Sequence, residues 1–209
     1  FFVTRSMDNR PCISDMLEIY KKYDCKLNIF ATHRTDVFTD FSNLQIGIHP
    51  NFLSGSTHGE SIEEVVDHMF EIFPDAETYR SHAYFDNQKI SELMAERGIK
   101  YDANICTYLQ ENLTPLQHCH GSLRFPSFFD DNVHWFHNGS WDFEEYRNEF
   151  FTPGLKIINF HPYPIALNIP DIDYYNRNRD VFSDMTPELI EERRYNSKGP
   201  RNFLIQLLE

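Results

Sequence analysis

Three residues of this sequence have the types needed for a hydrolytic metal centre: Asp8, His49 and His161. Each stands just beyond an apolar run of strand character, Asp8 after Phe1 to Arg5, His49 after Leu44 to Ile48, and His161 after Leu155 to Phe160. In a parallel barrel all such strand ends open on one face, so side chains far apart in sequence converge there. Two imidazoles and one carboxylate are the donors of a zinc site that leaves room for a water. A second candidate is Gln117-His118-Cys119-His120, where His118 and His120 alternate as on a strand and could share a second metal.

Other residues have two readings each. Asp130-Asp131, in Phe128-Phe129-Asp130-Asp131-Asn132, is either a carboxylate pair over the barrel mouth, with Asp131 as general base, or a solvated turn. Trp135 and Trp141 either offer stacking faces to a sugar or pack in the core. Asn112-Leu113-Thr114 and Asn138-Gly139-Ser140 match glycosylation sequons and are read as chance matches.

The elements that must position these groups follow from periodicity. Strand and helix patterns alternate, which predicts a βα succession around a parallel sheet. Beyond the three runs above, strands are predicted at Lys26 to Ala31, Thr78 to Ser81 and Ile99 to Ile105. Helices are predicted at Pro11 to Tyr23, Ser61 to Phe73, Gln88 to Arg97 and Trp141 to Phe150, with one opened by Thr186-Pro187-Glu188 and a last one over Arg201 to Leu208. In Ser61 to Phe73, Ile62, Val65, Val66, Met69 and Phe73 form one apolar stripe, and Glu63 and Glu64 sit where the helix dipole favours anions. Gln110 to Phe136 reads as loops with short strands, and Ile169 to Asp184 as irregular.

With 209 residues the chain fits one domain over 1–209 and buries a core without staples. A formal charge of −13 repels phosphate backbones, so nucleic acid is not an expected partner. Cys12, Cys25, Cys106 and Cys119 are scattered, without a CxxC pair, which suits reduced thiols in a cytoplasmic protein. No stretch of 18 apolar residues predicts a membrane span, and no signal segment is visible, although a start without Met leaves the true N-terminus open. The 19 Phe and 11 Tyr predict an aromatic core.

A series of short motifs adds a resemblance. Phe2-Val3-Thr4-Arg5-Ser6-Met7-Asp8, Ile46-Gly47-Ile48-His49-Pro50 with Ser56-Thr57-His58-Gly59, Arg80-Ser81-His82, Lys100-Tyr101-Asp102-Ala103-Asn104 and Asn159-Phe160-His161-Pro162 resemble, in order and spacing, the motifs of the polysaccharide deacetylase (NodB-homology, carbohydrate esterase family four) superfamily. The resemblance implies a distorted (β/α) barrel of about seven parallel strands. It also implies a divalent metal held by an Asp and two His, an acidic base oriented by an Arg, and a late His that protonates the leaving amine. Carried over, Asp8 and His49 match metal ligands, Arg80 the orienting Arg and His161 the acid. Ser6-Met7 replaces the neighbouring acid of the family pattern, and Leu53 stands where the second His is expected. His58, nine residues beyond His49, is then the third ligand, with His82 as its rival.

These roles have a chemical rationale. Attack on an amide at neutral pH needs a water made acidic by a metal, most simply zinc, and a His near its ordinary pKa suits protonation of the departing amine. The expected function is removal of an N-acyl group from an amino sugar or polysaccharide precursor. The alternatives are a C–N hydrolase acting on a small amide, or a barrel that binds sugar or metal without turnover. Arg80→Lys is expected to lower turnover and leave the melting temperature nearly unchanged.

Overall fold

In the computed structural model, residues 10–38, 41 and 43–209 are described. In chain order the elements are α1 (Arg10–Lys22), β1 (Leu27–Ala31), β2 (Leu44–Ile48), α2 (Ile62–Ile72), β3 (Thr78–Tyr79), α3 (Gln88–Glu96), β4 (Tyr101–Asp102), β5 (Leu116–Gln117), β6 (Leu123–Arg124), β7 (Phe129–Asp130), α4 (Asp131–Phe136), α5 (Arg147–Phe151), β8 (Ile158–Asn159), α6 (Pro162–Ala166), α7 (Ile172–Asn178), α8 (Pro187–Arg193) and α9 (Pro200–Leu208). The strand expected over Phe1 to Arg5 lies outside the described residues, as does Asp8.

The fold is α/β with mostly parallel strands. Strands β1, β2, β3, β4 and β6 pair in that order and in parallel, β5 returns antiparallel on β6, and β7 pairs in parallel with β8. β1 and β2 align from Leu27↔Leu44 to Ala31↔Ile48. The ladder then continues past the named strands: His49 N donates to Ala31 O, Arg80 N to Ile48 O and Ala103 N to Tyr79 O. These bonds fix the first residues beyond each strand relative to their neighbours, which is what a site built on strand ends requires. Gly47 lies where the sheet leaves no space, since a Cβ there would meet Thr78 Oγ1 at 2.2 Å.

Local chemistry explains the helices. Ser61 and Glu64 form a capping box at the start of α2, and Val65, Val66, Met69 and Phe70 turn inward. Several regions differ from the sequence expectation, among them α4, which lies within the stretch read as loops with short strands, and α6, which is not among the expected helices. The helix expected over Trp141 to Phe150 is split, because Asp142 caps a separate 3-10 turn at Phe143–Glu145 and α5 begins only at Arg147. The irregular reading of Ile169 to Asp184 misses α7, whose N-cap Asp171 accepts from Tyr174 N at 2.7 Å.

The core is aromatic, as composition suggests. Phe128, Phe129, Phe143, Phe150, Phe160 and Phe203 are buried in one cluster with Trp141. Trp141 Nε1 donates to Pro170 O at 2.6 Å, and Trp135 Nε1 to Ile169 O at 3.2 Å. Both indoles thus serve packing and tether the chain before α7. Among the described residues no helix is long and apolar enough to cross a membrane.

Candidate active site

The C-terminal ends of β2, β3, β7 and β8 deliver His49, Arg80, Asp130 and His161 to one cavity of about 460 Å³. Its wall is completed by His82, Tyr84, Asn132 and an apolar side of Val133, Phe136, Pro162, Tyr163, Tyr175 and Phe182. This volume lies within the usual range of small-ligand pockets.

Asp130 and Asp131 are adjacent in sequence but turn to different partners. Asp130 ends β7 and caps α4: its Oδ1 accepts from Asn132 N at 3.0 Å and Val133 N at 3.1 Å. Its Oδ2 accepts from Arg80 Nη2 at 3.2 Å, from Tyr84 OH at 2.8 Å and from Asn159 Nδ2. Burial alone would raise the pKa of this carboxyl, but His161, Arg80, Asn159 and Tyr84 outweigh it and hold it below the usual carboxylate range. Burial pushes the Tyr84 hydroxyl well up, so it remains a donor. The Arg80 guanidinium also lies 4.1 Å above the centre of the Tyr84 ring. Ala83 and Tyr84 reach this position through positive φ angles of 54° and 55°, an uncommon conformation for non-glycine residues.

Asp131 is fully buried and faces His161. Its Oδ1 bonds the His161 Nδ1, and its Oδ2 accepts from His161 N at 2.8 Å. The imidazole is thereby held by its backbone and its ring together, with Nδ1 carrying the shared proton. Burial would lower the His161 pKa, but the Asp131 and Asp130 carboxylates more than reverse this and raise it. Asp131, expected to be the general base, turns its oxygens to His161 and to Asn132 N, which donates to Oδ1 at 2.9 Å, and burial raises its pKa. In this geometry it orients the His161 ring.

His49 is 1% exposed, and neither of its ring nitrogens has a hydrogen-bond partner among the described residues. Burial, then Arg80 and His82, keep its pKa well below the ordinary value, so the ring is neutral and offers a lone pair. A buried polar ring without a partner is costly unless something else ligates it. The His82 ring stands edge-on to it with centroids 5.7 Å apart. His58 is not brought to this cavity. Its Nδ1 accepts from Asn51 N at 3.2 Å and its ring stacks on His68, so the Ser54-Gly55-Ser56 bend does not turn it inward. The imidazole beside His49 is the rival, His82.

Asp130, Asp131 and His161 also offer ligand atoms within 4.8 Å of one another. A cation among them would compete with the ion pair of Arg80 with Asp130 and with the bond between Asp131 and His161. His49, whose ring nitrogens have no hydrogen-bond partner among the described residues, and the neighbouring His82 are two further donors that could hold a metal.

One pH dependence follows from the pair of Asp131 and His161. The protonated imidazole is lost as pH rises through its raised pKa, so an activity that needs it falls off on the alkaline side at a pH above about 6.5. The stabilisation that His161 contributes is present below its unfolded pKa of about 6.5 and is lost over the same alkaline range. Asp131→Asn is expected to move the alkaline limb of the kcat profile to lower pH. A limb that stays in place would show that another group sets it.

Comparison with known proteins bears on the family and the fold. The family described as "WbmS-like: Polysaccharide deacetylase" matches residues 8–179. A solved structure from Bordetella bronchiseptica, described as that of a polysaccharide deacetylase involved in O-antigen biosynthesis, superposes with a TM-score of 0.87 at 26% identity, covering 99% of this chain and 87% of that one. A Mycobacterium smegmatis structure described as a polysaccharide deacetylase gives a TM-score of 0.50 at 15% identity over 89% of this chain and 78% of that one, a likeness of fold. No match was found among curated proteins.

Proposed function

Since the chain belongs to the WbmS-like polysaccharide deacetylase family, we propose that it hydrolyses an N-acyl group, acetyl in the simplest case, from an amino sugar of a surface-polysaccharide precursor. The observation that carries this reading is the His161 imidazole, held by buried Asp131, in the same cavity as the unpartnered His49.

In this reading Phe136, Tyr175 and Phe182 give the sugar an apolar wall. His49 and His82 are the imidazole ligands of a divalent ion, zinc by the nature of the donors, and Asp8 is its carboxylate ligand. When bound, the ion supplies Lewis acidity toward a water and the acyl oxygen. Protonated His161 donates from Nε2 to the amine nitrogen as its bond to the acyl carbon breaks. Asp131 keeps the ring oriented through Nδ1, and the ion pair of Arg80 with Asp130 fixes the floor beneath it. A cytoplasmic setting is part of the proposal and rests on four scattered free thiols.

The test is amine release from a panel of N-acetyl amino sugars by the metal-loaded protein, with His49→Ala beside it. Release that depends on metal, and loss of the metal in His49→Ala, are the expected results. Full metal retention in that variant at unchanged affinity would remove His49 from the site.

One observation favours a second reading, a barrel that binds sugar without turnover. Asp130, which lines the cavity, and Asp131 behind it already accept several hydrogen bonds, so either would have to give up one of them to act as a base. Saturable sugar binding with no amine release across the panel would establish that reading over the first.

A further inference from the structure

Away from the cavity, the connection between β5 and β6 gathers His118, Cys119 and His120. On an extended strand Cys119 would point away from its two neighbours. Here the chain turns instead: Gly121 N donates to His118 O at 3.0 Å, and His118 N donates to Ser122 O at 2.9 Å. Gln117 Nε2 clamps the turn by donating to Gly121 O at 3.1 Å. Gly121 has a φ of 96°, a left-handed conformation that glycine adopts without strain.

The turn places one ligand atom of each of the three residues within 4.8 Å of the others. Cys119 Sγ lies 3.8 Å from His118 Nδ1, and the two imidazole centroids are 5.4 Å apart. The Cys119 thiol is free and exposed. His120 Nε2 is buried and has no hydrogen-bond partner among the described residues. None of the three lines the cavity that holds His49 and His161.

We propose that this turn is a second metal site, in which the Cys119 thiolate and the imidazoles of His118 and His120 bind a zinc-like divalent ion. One thiolate with two imidazoles selects borderline and soft ions over magnesium or calcium, which prefer oxygen. Three ligands within one clamped turn need little further ordering, and they leave a fourth position for water or another ligand. On binding, the Cys119 sulfur gives its proton to solvent and forms its bond to the ion as a thiolate. The chain's net charge of −13 favours cations near its surface. The site is independent of the deacetylase reading.

Cobalt(II) is the probe, added to the reduced full chain, because a thiolate bound to it gives a near-ultraviolet charge-transfer band that imidazole and carboxylate do not. The wild type is expected to show this band, with a final intensity corresponding to one thiolate-bound cobalt per chain. Cys119→Ser is expected to abolish it, and to reduce zinc bound at equilibrium by one equivalent. His118→Ala with His120→Ala should do the same, while His49→Ala keeps the band. Absence of the band from the wild type, its survival in Cys119→Ser, or its loss in His49→Ala would overturn the proposal. So would a Cys119-linked dimer forming in air with no metal uptake by the reduced chain.

Discussion

His161→Ala is expected to bind metal normally yet lose roughly two to four orders of magnitude in turnover on an N-acetyl sugar, the range for a general acid. The reason is geometric. Asp131 holds Nδ1, the backbone N–H of His161 is tied to the same carboxylate, and the ring faces the cavity. A substrate with a good leaving group needs little protonation of that group, so the variant should recover much of its deficit on an activated aryl ester. His49→Ala should not recover, because Lewis acidity is needed for both substrates. Equal impairment of His161→Ala on amide and ester would give the ring a binding role instead. Asp131→Asn should fall between wild type and His161→Ala, since the ring remains but loses the carboxylate that raises its pKa.

The sequence shows which strand ends carry chemistry, but it does not show which side chains meet. β1 and β2 are legible because five consecutive apolar or alternating residues are long enough to read. β3, β4 and β8 are two residues each, so periodicity marks where they are but not where they stop. The rule that parallel strands end on one face was enough to bring His49 and His161 to one cavity, whereas Arg80, which lines it too, is indicated by the family resemblance. Pairing is a different matter. At the junction of β7 and α4 the backbone changes from extended to helical, so Asp130 and Asp131 diverge and take separate partners. Nothing in a pair of adjacent acids signals that split, although Asp followed by a short helical stretch is an N-cap pattern that marks α4.

Tyr84 and Asn159, the other side-chain donors to Asp130, differ in how far the sequence announces them. Tyr84 reaches Asp130 only through two consecutive positive φ angles at non-glycine residues, which no residue type announces. Asn159 precedes His161 by two positions, so strand alternation predicts that the two share a face, and that signal was available. His82 shows the opposite limit. Spacing favoured His58 as a loop residue able to fold back, but the loop closes on itself through Ser56 and Asn51. What brings His82 to His49 is the pairing of β2 with β3, continued where His82 N donates to Pro50 O at 2.9 Å.

Breaking the ion pair of Arg80 and Asp130 is expected to cost far more stability than the sequence implies. Side-chain exposure is 3% for Arg80 and 2% for Asp130, so removing either leaves its partner charged in a dry site. Losses of about 3–5 kcal/mol are usual for such a break. Arg80→Met belongs at the lower end, because Asp130 keeps four other donors: Tyr84, Asn159 and the amides of Asn132 and Val133. Asp130→Ala belongs at the upper end, because it removes the buried carboxylate that faces Arg80 and the acceptor of all four at once. Replacing both residues by apolar ones should not restore wild-type stability, since the cap on α4 is still lost. Arg80→Lys, expected from the sequence to be thermally silent, should now lower the melting temperature, because an ammonium does not reproduce the Nη2 bond to Asp130 Oδ2 while also spreading over the Tyr84 ring. The pH dependence checks the cause. Asp130 has a depressed pKa in the folded state, so its stabilisation is present above the unfolded value of about 3.9 and is lost as pH falls through the folded one. Chemical denaturation of wild type and Arg80→Met from pH 7 downward should therefore show curves that approach each other under acid. A difference that stays constant across that range would mean that Arg80 acts through packing on Tyr84 rather than through the charge of Asp130.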